Sequence, residues 1–121
     1  MSIIVAYTTD TYIPQGTDRD IRMEILTEAD NPFDLTGHKV YMAFSSMRTG
    51  EAPVLQKEAE IVVAANGTVI FKFTPEDTVD LLSIAYSADV WVVETVTDYK
   101  WLAWSGRIGV TSIVPLEEVK V

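Results

Sequence analysis

The chain has 121 residues, no cysteine and a formal net charge of −9, and 48% of its residues are hydrophobic. This length fits one domain with one core, and the hydrophobic content is too high for a disordered chain. The lack of cysteine excludes disulfides, thiolate metal ligands and thiol nucleophiles. The acidic balance disfavours contact with phosphate backbones, and no apolar run approaches the roughly 18 residues of a membrane span. We therefore expect a single domain over residues 1–121 that binds neither nucleic acid nor a membrane.

Short strands are predicted along most of the chain, because apolar and polar residues alternate with a period of two. The predicted strands cover residues 3–8, 18–27, 38–45, 54–64 (as one or two strands), 69–73, 85–97, and 101–106 with 107–113 (as one strand or two). About seven or eight strands with almost no helix predict an all-β, antiparallel sandwich. The predicted core residues are Ile21, Met23, Ile25, Val40, Met42, Phe44, Val69, Phe71, Phe73, Val90 and Val92.

Two short sequence motifs predict turns between these strands. Asn66 and Gly67 together predict a tight type I′ hairpin turn, because both residues tolerate positive φ. Thr74 followed by Pro75 predicts the start of a short helical turn, with threonine as N-cap and proline at the first helical position. The side chains expected to pack this turn against the sheet edge are those of Val79, Leu81 and Leu82.

Residues for catalysis or metal binding are sparse. His38 is the only histidine, and a lone histidine at a strand start is expected to be exposed or half-buried rather than a ligand. The chain lacks a G-x-S-x-G motif, and the closely spaced Asp18 and Asp20 would repel each other on one strand face. The loop acids Glu28 to Asp34 do not have EF-hand spacing. We therefore expect no enzymatic activity, no cofactor and no metal.

Aromatic residues are concentrated near the end of the chain. Trp91, Tyr99, Trp101 and Trp104 are interface candidates, because tryptophan and tyrosine offer a large contact area at low entropic cost. Trp101 and Trp104 are three residues apart, so a regular strand would point them to opposite faces. At least one of them is then expected to lie off the main core. An alternative function is a carbohydrate-binding module that stacks sugars on these tryptophans.

Three sequence blocks occur in a characteristic order. Residues 34–37 read DLTG before a strand, residues 67–78 read GTVIFKFTPEDT, and residues 81–92 read LLSIAYSADVWV. Together they resemble the N-terminal immunoglobulin-like domain of phage baseplate upper proteins. The resemblance extends over roughly residues 14–114.

This resemblance implies an immunoglobulin-like β-sandwich and a non-enzymatic role as a phage virion structural protein. The module would mediate protein–protein contacts in the tail or baseplate, or on the head surface. Its expected partners are itself and other phage structural proteins, as a homo-oligomer for which analogy with phage tails suggests a trimer. Baseplate upper proteins carry long additional segments after this domain, whereas the present sequence stops just after the matching residues. We therefore expect a stand-alone version of the module. We expect it to be assembled in the bacterial cytoplasm and located in the virion.

Overall fold

Alternating side chains produce nine strands in the part of the chain that the computed structural model describes, residues 3–7, 12–27, 30–45, 53–82 and 84–112. One 3-10 turn and one α-helical turn interrupt them. The elements are β1 (Ile3–Tyr7), β2 (Tyr12–Pro14), β3 (Arg19–Thr27), β4 (His38–Ser45), β5 (Leu55–Glu58), β6 (Glu60–Val63), β7 (Thr68–Phe73), α1 (Pro75–Thr78), β8 (Ala85–Glu94) and β9 (Lys100–Thr111).

The strands form two sheets. The first sheet has the order β1-β3-β7-β6, and the second has the order β2-β9-β8-β4-β5. All neighbours pair antiparallel except β2 and β9, which are parallel. The second sheet has β9, β8 and β4 at its centre and faces the four-stranded sheet. This is the two-sheet arrangement of immunoglobulin-like sandwiches. The all-β sandwich with one short helical turn is therefore confirmed.

The core lies between the inner faces of the two sheets. Every core residue predicted from the alternation is buried, with an exposed fraction of at most 1%. Side chains from β2, from the loops and from β8 and β9 complete it: Ile13, Phe33, Leu35, Ala59, Tyr86, Ala88, Ala103, Ile108 and Val110. The period-two pattern thus identified the inner face correctly in four separate segments.

A tyrosine fixes the corner where the chain enters β8. The hydroxyl of buried Tyr86 accepts a hydrogen bond of 2.9 Å from the backbone N–H of Leu82. This is the tyrosine-corner bond of immunoglobulin-like sandwiches, in which a tyrosine near the start of this strand bonds the backbone a few residues upstream. It holds the α1–β8 connection against the sandwich.

The β6–β7 hairpin has a longer turn than predicted. A 3-10 turn over Ala64–Asn66 precedes Gly67, which alone in this turn has positive φ, at 66°. The hairpin is present, but the type I′ prediction is wrong, because such a turn needs positive φ at two successive residues. The neighbouring strand β3 stabilises the turn instead, since the N–H of Ile25 donates to the Gly67 carbonyl at 2.8 Å.

The helical turn begins as predicted. Thr74 precedes Pro75, and the Asp77 carboxylate closes the turn by accepting from the Thr74 N–H at 2.8 Å. The same oxygen accepts from Lys57 Nζ at 2.8 Å, which ties α1 to β5.

The packing expected just after α1 is only partly present. Leu81 is half-buried and packs against the core. Val79 and Leu82 are 53% and 68% exposed, so the prediction that they pack on the sheet edge is wrong for both.

Two predicted boundaries also differ. The loop expected over residues 9–17 contains β2, a short edge strand that ends at Pro14, where a missing N–H costs no ladder bond. The last segments, predicted as one strand or two, form one continuous strand, β9, over Lys100–Thr111.

Candidate functional site

A β-bulge in β9 decides where the late aromatic side chains point. Val90 pairs with Trp104, but the next residue, Trp91, pairs with Leu102, so Ala103 is the extra residue. Trp101 pairs with Val92, and therefore both Trp101 and Trp104 lie opposite inward-facing residues of β8. The expectation that these two indoles face opposite ways is wrong, because a bulge shifts the alternation by one residue.

The outer face of the second sheet carries a row of large apolar side chains. Tyr41, Trp91 and Leu102 are aligned across β4, β8 and β9. Leu102 is 47% exposed, and Tyr41 and Trp91 are half-buried. We call this surface the outer face. It contains a cavity of about 460 Å³ lined by Tyr41, Ala43, Pro53, Gln56, Trp91, Val93 and Lys100.

The row continues into polar groups at its β5 end. Burial raises the pKa of the Tyr41 hydroxyl, and its hydrogen bond to the Glu58 carboxylate raises that pKa further. The phenol therefore stays protonated and donates to the carboxylate. Tyr41 is thereby held in place at the edge of the cavity, which leaves its ring to form part of the cavity wall.

The rim of the outer face is richer in basic groups than the chain as a whole. Lys39 and Lys100 flank Val93 on one side of the apolar row, and the exposed Arg107 lies beyond the other side. Among the described residues, two acids share this surface: Glu58, 4.0 Å from Lys39, and Asp89, which accepts from the Ser105 hydroxyl at 2.6 Å. The outer face is therefore close to neutral or slightly positive, although the chain carries a net charge of −9.

The other interface candidates lie elsewhere. Tyr99 is 59% exposed, and its ring centroid is 4.6 Å from that of half-buried Trp101. Trp101 also contacts Phe33 and His38, with centroid distances of 6.4 and 5.7 Å. This aromatic group sits at the end of the sandwich where the β3–β4 and β8–β9 connections meet, and it covers the end of the core.

The Trp104 ring packs closely against Gly106, two residues further along the same strand. A Cβ at Gly106 would come within 2.6 Å of the Trp104 indole, so this indole occupies the space that a side chain at position 106 would need. Trp104 is half-buried and packs against the core. Of the four interface candidates, only Trp91 lies on the outer face. Tyr41 and Leu102 lie beside it but were not predicted from the sequence. Leu102 was missed because its alignment with Trp91 depends on the β-bulge.

Groups that could carry chemistry have structural partners. His38 is half-buried as expected, with Nδ1 3.0 Å from the Thr36 carbonyl and its ring edge-on to Phe33. The Thr36 hydroxyl and N–H both donate to Asp34, and these bonds lower the pKa of that carboxyl. Within the described ranges, no three His, Cys, Asp or Glu residues are grouped so that they could hold a metal ion. No described helix is long and apolar enough to cross a membrane.

Comparison with known proteins adds little to this picture. No protein-family model and no curated protein matches the chain. Among solved structures, the chain is similar to a superoxide reductase (neelaredoxin) from Ignicoccus hospitalis, with a TM-score of 0.44 and 11% sequence identity. The match covers 93% of this chain and 82% of that one. A likeness at this level says nothing about what the chain does.

Proposed function

We propose that this chain is a non-enzymatic structural protein of a phage virion, an immunoglobulin-like module that makes protein–protein contacts in the tail or baseplate or on the head surface. The observation that carries the contact role is the outer face. Its central row of Tyr41, Trp91 and Leu102 leaves large apolar groups on the solvent side of a sheet whose other side already packs the core. A contiguous apolar surface with a polar rim is typical of a protein interface.

The phage assignment rests on the order of the sequence blocks, and each block forms a defined local structure. The DLTG block makes a turn with Gly37 at φ 77°, and the TPEDT block makes α1. Tyr86, in the third block, makes the tyrosine corner. Each block thus includes a connection between strands of the sandwich.

A non-enzymatic role is supported by the engagement of the polar groups. His38, Asp34 and Asp77 contribute to turns and to the packing around them. The cavity on the outer face is lined mainly by aromatic and aliphatic side chains, and its ionisable groups are those of Tyr41 and Lys100. Such a surface is suited to holding a partner.

The cavity also favours one alternative, a carbohydrate-binding module. Tyr41 and Trp91 present aromatic surface beside the polar side chains of Gln56 and Lys100, which could stack on and hydrogen-bond to a sugar. A glycan array is the direct test of this alternative. Binding that disappears in Trp91→Ala would establish it, and an array without hits would exclude it.

The virion role is tested by following the protein into purified particles with quantitative mass spectrometry. We expect wild type to be a stoichiometric component and Trp91→Glu to be lost from the particles. Val62→Glu is the matched control, because Val62 is 48% exposed on β6, in the other sheet. Absence of the wild-type protein from particles would refute the virion role. Normal incorporation of Trp91→Glu would show that the contact surface lies elsewhere.

A further inference from the structure

A second apolar surface lies at the corner between α1 and β8. Val79, Leu82 and Ile84 are 53%, 68% and 41% exposed within a stretch of six residues. Exposed Glu76 and Asp80 flank them, and no lysine or arginine occurs between residues 76 and 84. We call this surface the apolar corner. It combines an apolar centre with an acidic rim.

The apolar corner is held in place by hydrogen bonds to its backbone. The Leu82 N–H donates to the Tyr86 hydroxyl, and Gln15 Nε2 donates to the Leu81 carbonyl at 2.6 Å. The Val110 N–H donates to the Ile84 carbonyl at 2.9 Å. Because these bonds hold the backbone at Leu81, Leu82 and Ile84, little backbone entropy at these residues remains to be lost when the Leu82 side chain enters a partner.

The outer face has the complementary character. Its apolar row and cavity could accept protruding aliphatic side chains, and Lys39 and Lys100 stand beside the cavity. The two surfaces match in apolar centre, and the acids of the apolar corner complement the near-neutral to slightly positive rim of the outer face. Complementary rims of this kind set the orientation of a contact and speed its formation.

We propose that the apolar corner of one copy docks into the cavity on the outer face of a second copy. Leu82 would enter the cavity beside Trp91, and the carboxylates of Glu76 and Asp80 would approach Lys39 and Lys100. This proposal rests on the proposed function, since it names the chain itself as the partner of the outer face. Because each copy uses two different surfaces, the contact is heterologous and repeats from copy to copy, closing into a ring when the rotation allows it.

The decisive experiment is complementation between two variants, followed by light scattering coupled to size exclusion. Leu82→Glu removes the docking group, and Trp91→Glu removes the receiving surface. We expect wild type to assemble and each variant alone to be monomeric, with the dissociation constant raised at least about thirtyfold, as for an interface hot spot. A mixture of the two variants should form a one-to-one heterodimer, because one intact corner then meets one intact outer face.

Several outcomes would overturn this contact. A strictly monomeric wild type at millimolar concentration would exclude self-association, while incorporation into particles would still test the proposed function separately. Assembly of Leu82→Glu like wild type would point to a face-to-face dimer instead. A mixture that stays monomeric would show that the two surfaces do not meet.

A charge exchange covers the case in which Trp91→Glu does not fold. Lys100→Glu changes an exposed side chain and should weaken assembly, and adding Asp80→Lys should restore it by exchanging the two rims. Lack of rescue in a folded double variant would refute the pairing of these rims. Val96→Glu is the control, because Val96 is 87% exposed in the β8–β9 turn, outside both surfaces, and it should assemble like wild type.

Discussion

Replacing Gly67 by alanine should destabilise the protein much more than the same change at Gly37. Both glycines have positive φ, 66° and 77°, so alanine at either position meets the left-handed penalty of about 1–2 kcal/mol. They differ in their surroundings. A Cβ at Gly67 would lie 2.4 Å from the Ile25 carbonyl oxygen and 2.9 Å from that of Phe33, whereas a Cβ at Gly37 would meet nothing within 4 Å.

The extra cost at Gly67 follows from what would have to move. The two carbonyls belong to the backbone of β3 and of the following loop, and the Ile25 carbonyl accepts a hydrogen bond of 2.9 Å from the Phe33 N–H. Relieving the overlap would strain that bond, and overpacking of this kind costs about 1–3 kcal/mol. Alanine also restricts the unfolded chain equally at both sites, so that effect cancels in the comparison. We expect Gly67→Ala to lose about 2–5 kcal/mol and Gly37→Ala about 1–2 kcal/mol.

Urea unfolding followed by tryptophan fluorescence measures this difference. The dependence of the free energy of unfolding on urea should be the same for both variants, so that the midpoints report stability. A thermal melt should show a shift of roughly 4 °C for each kcal/mol in a domain of this size. If the two variants differ by less than about 0.5 kcal/mol, the close approach of the Gly67 turn to β3 does not constrain the fold and the reasoning is wrong.

Two further predictions concern the core and the helical turn. Phe71→Ala should lower the free energy of unfolding by about 3–5 kcal/mol, because Phe71 is fully buried on β7; a loss below about 1 kcal/mol in urea unfolding would contradict its place in the core. Burial raises the pKa of Asp77, but the hydrogen bonds from Lys57 and from the Thr74 N–H outweigh this, and the net pKa lies below the ordinary 3.8. A lowered folded pKa stabilises the protein above the unfolded value, and the gain is lost as the pH falls through the folded value. The stability difference between wild type and Asp77→Asn should therefore be constant above about pH 5 and shrink below pH 3.8, as measured by unfolding across that range. Lys57→Met should reduce this pH dependence, and an unchanged dependence would show that the Lys57–Asp77 bond contributes nothing to it.

Local patterns in the sequence were sufficient for much of the fold. Strand positions and the core face follow from a period-two alternation that depends only on neighbouring residues, which is why Met23, Val40 and Phe71 were assigned correctly. The start of α1 was equally predictable, because capping by Thr74 and Asp77 is completed within four residues.

The position of the candidate site was decided by tertiary structure. The bulge at Ala103 exists only in the pairing of β8 with β9, and it turns Trp101 and Trp104 toward the core while aligning Leu102 with Trp91. The exposure of Leu82 likewise depends on the bond from its backbone to Tyr86, a contact that requires the folded corner. Alternation along one strand determines which of its residues share a face. The register between strands determines which outward-facing side chains of neighbouring strands lie side by side.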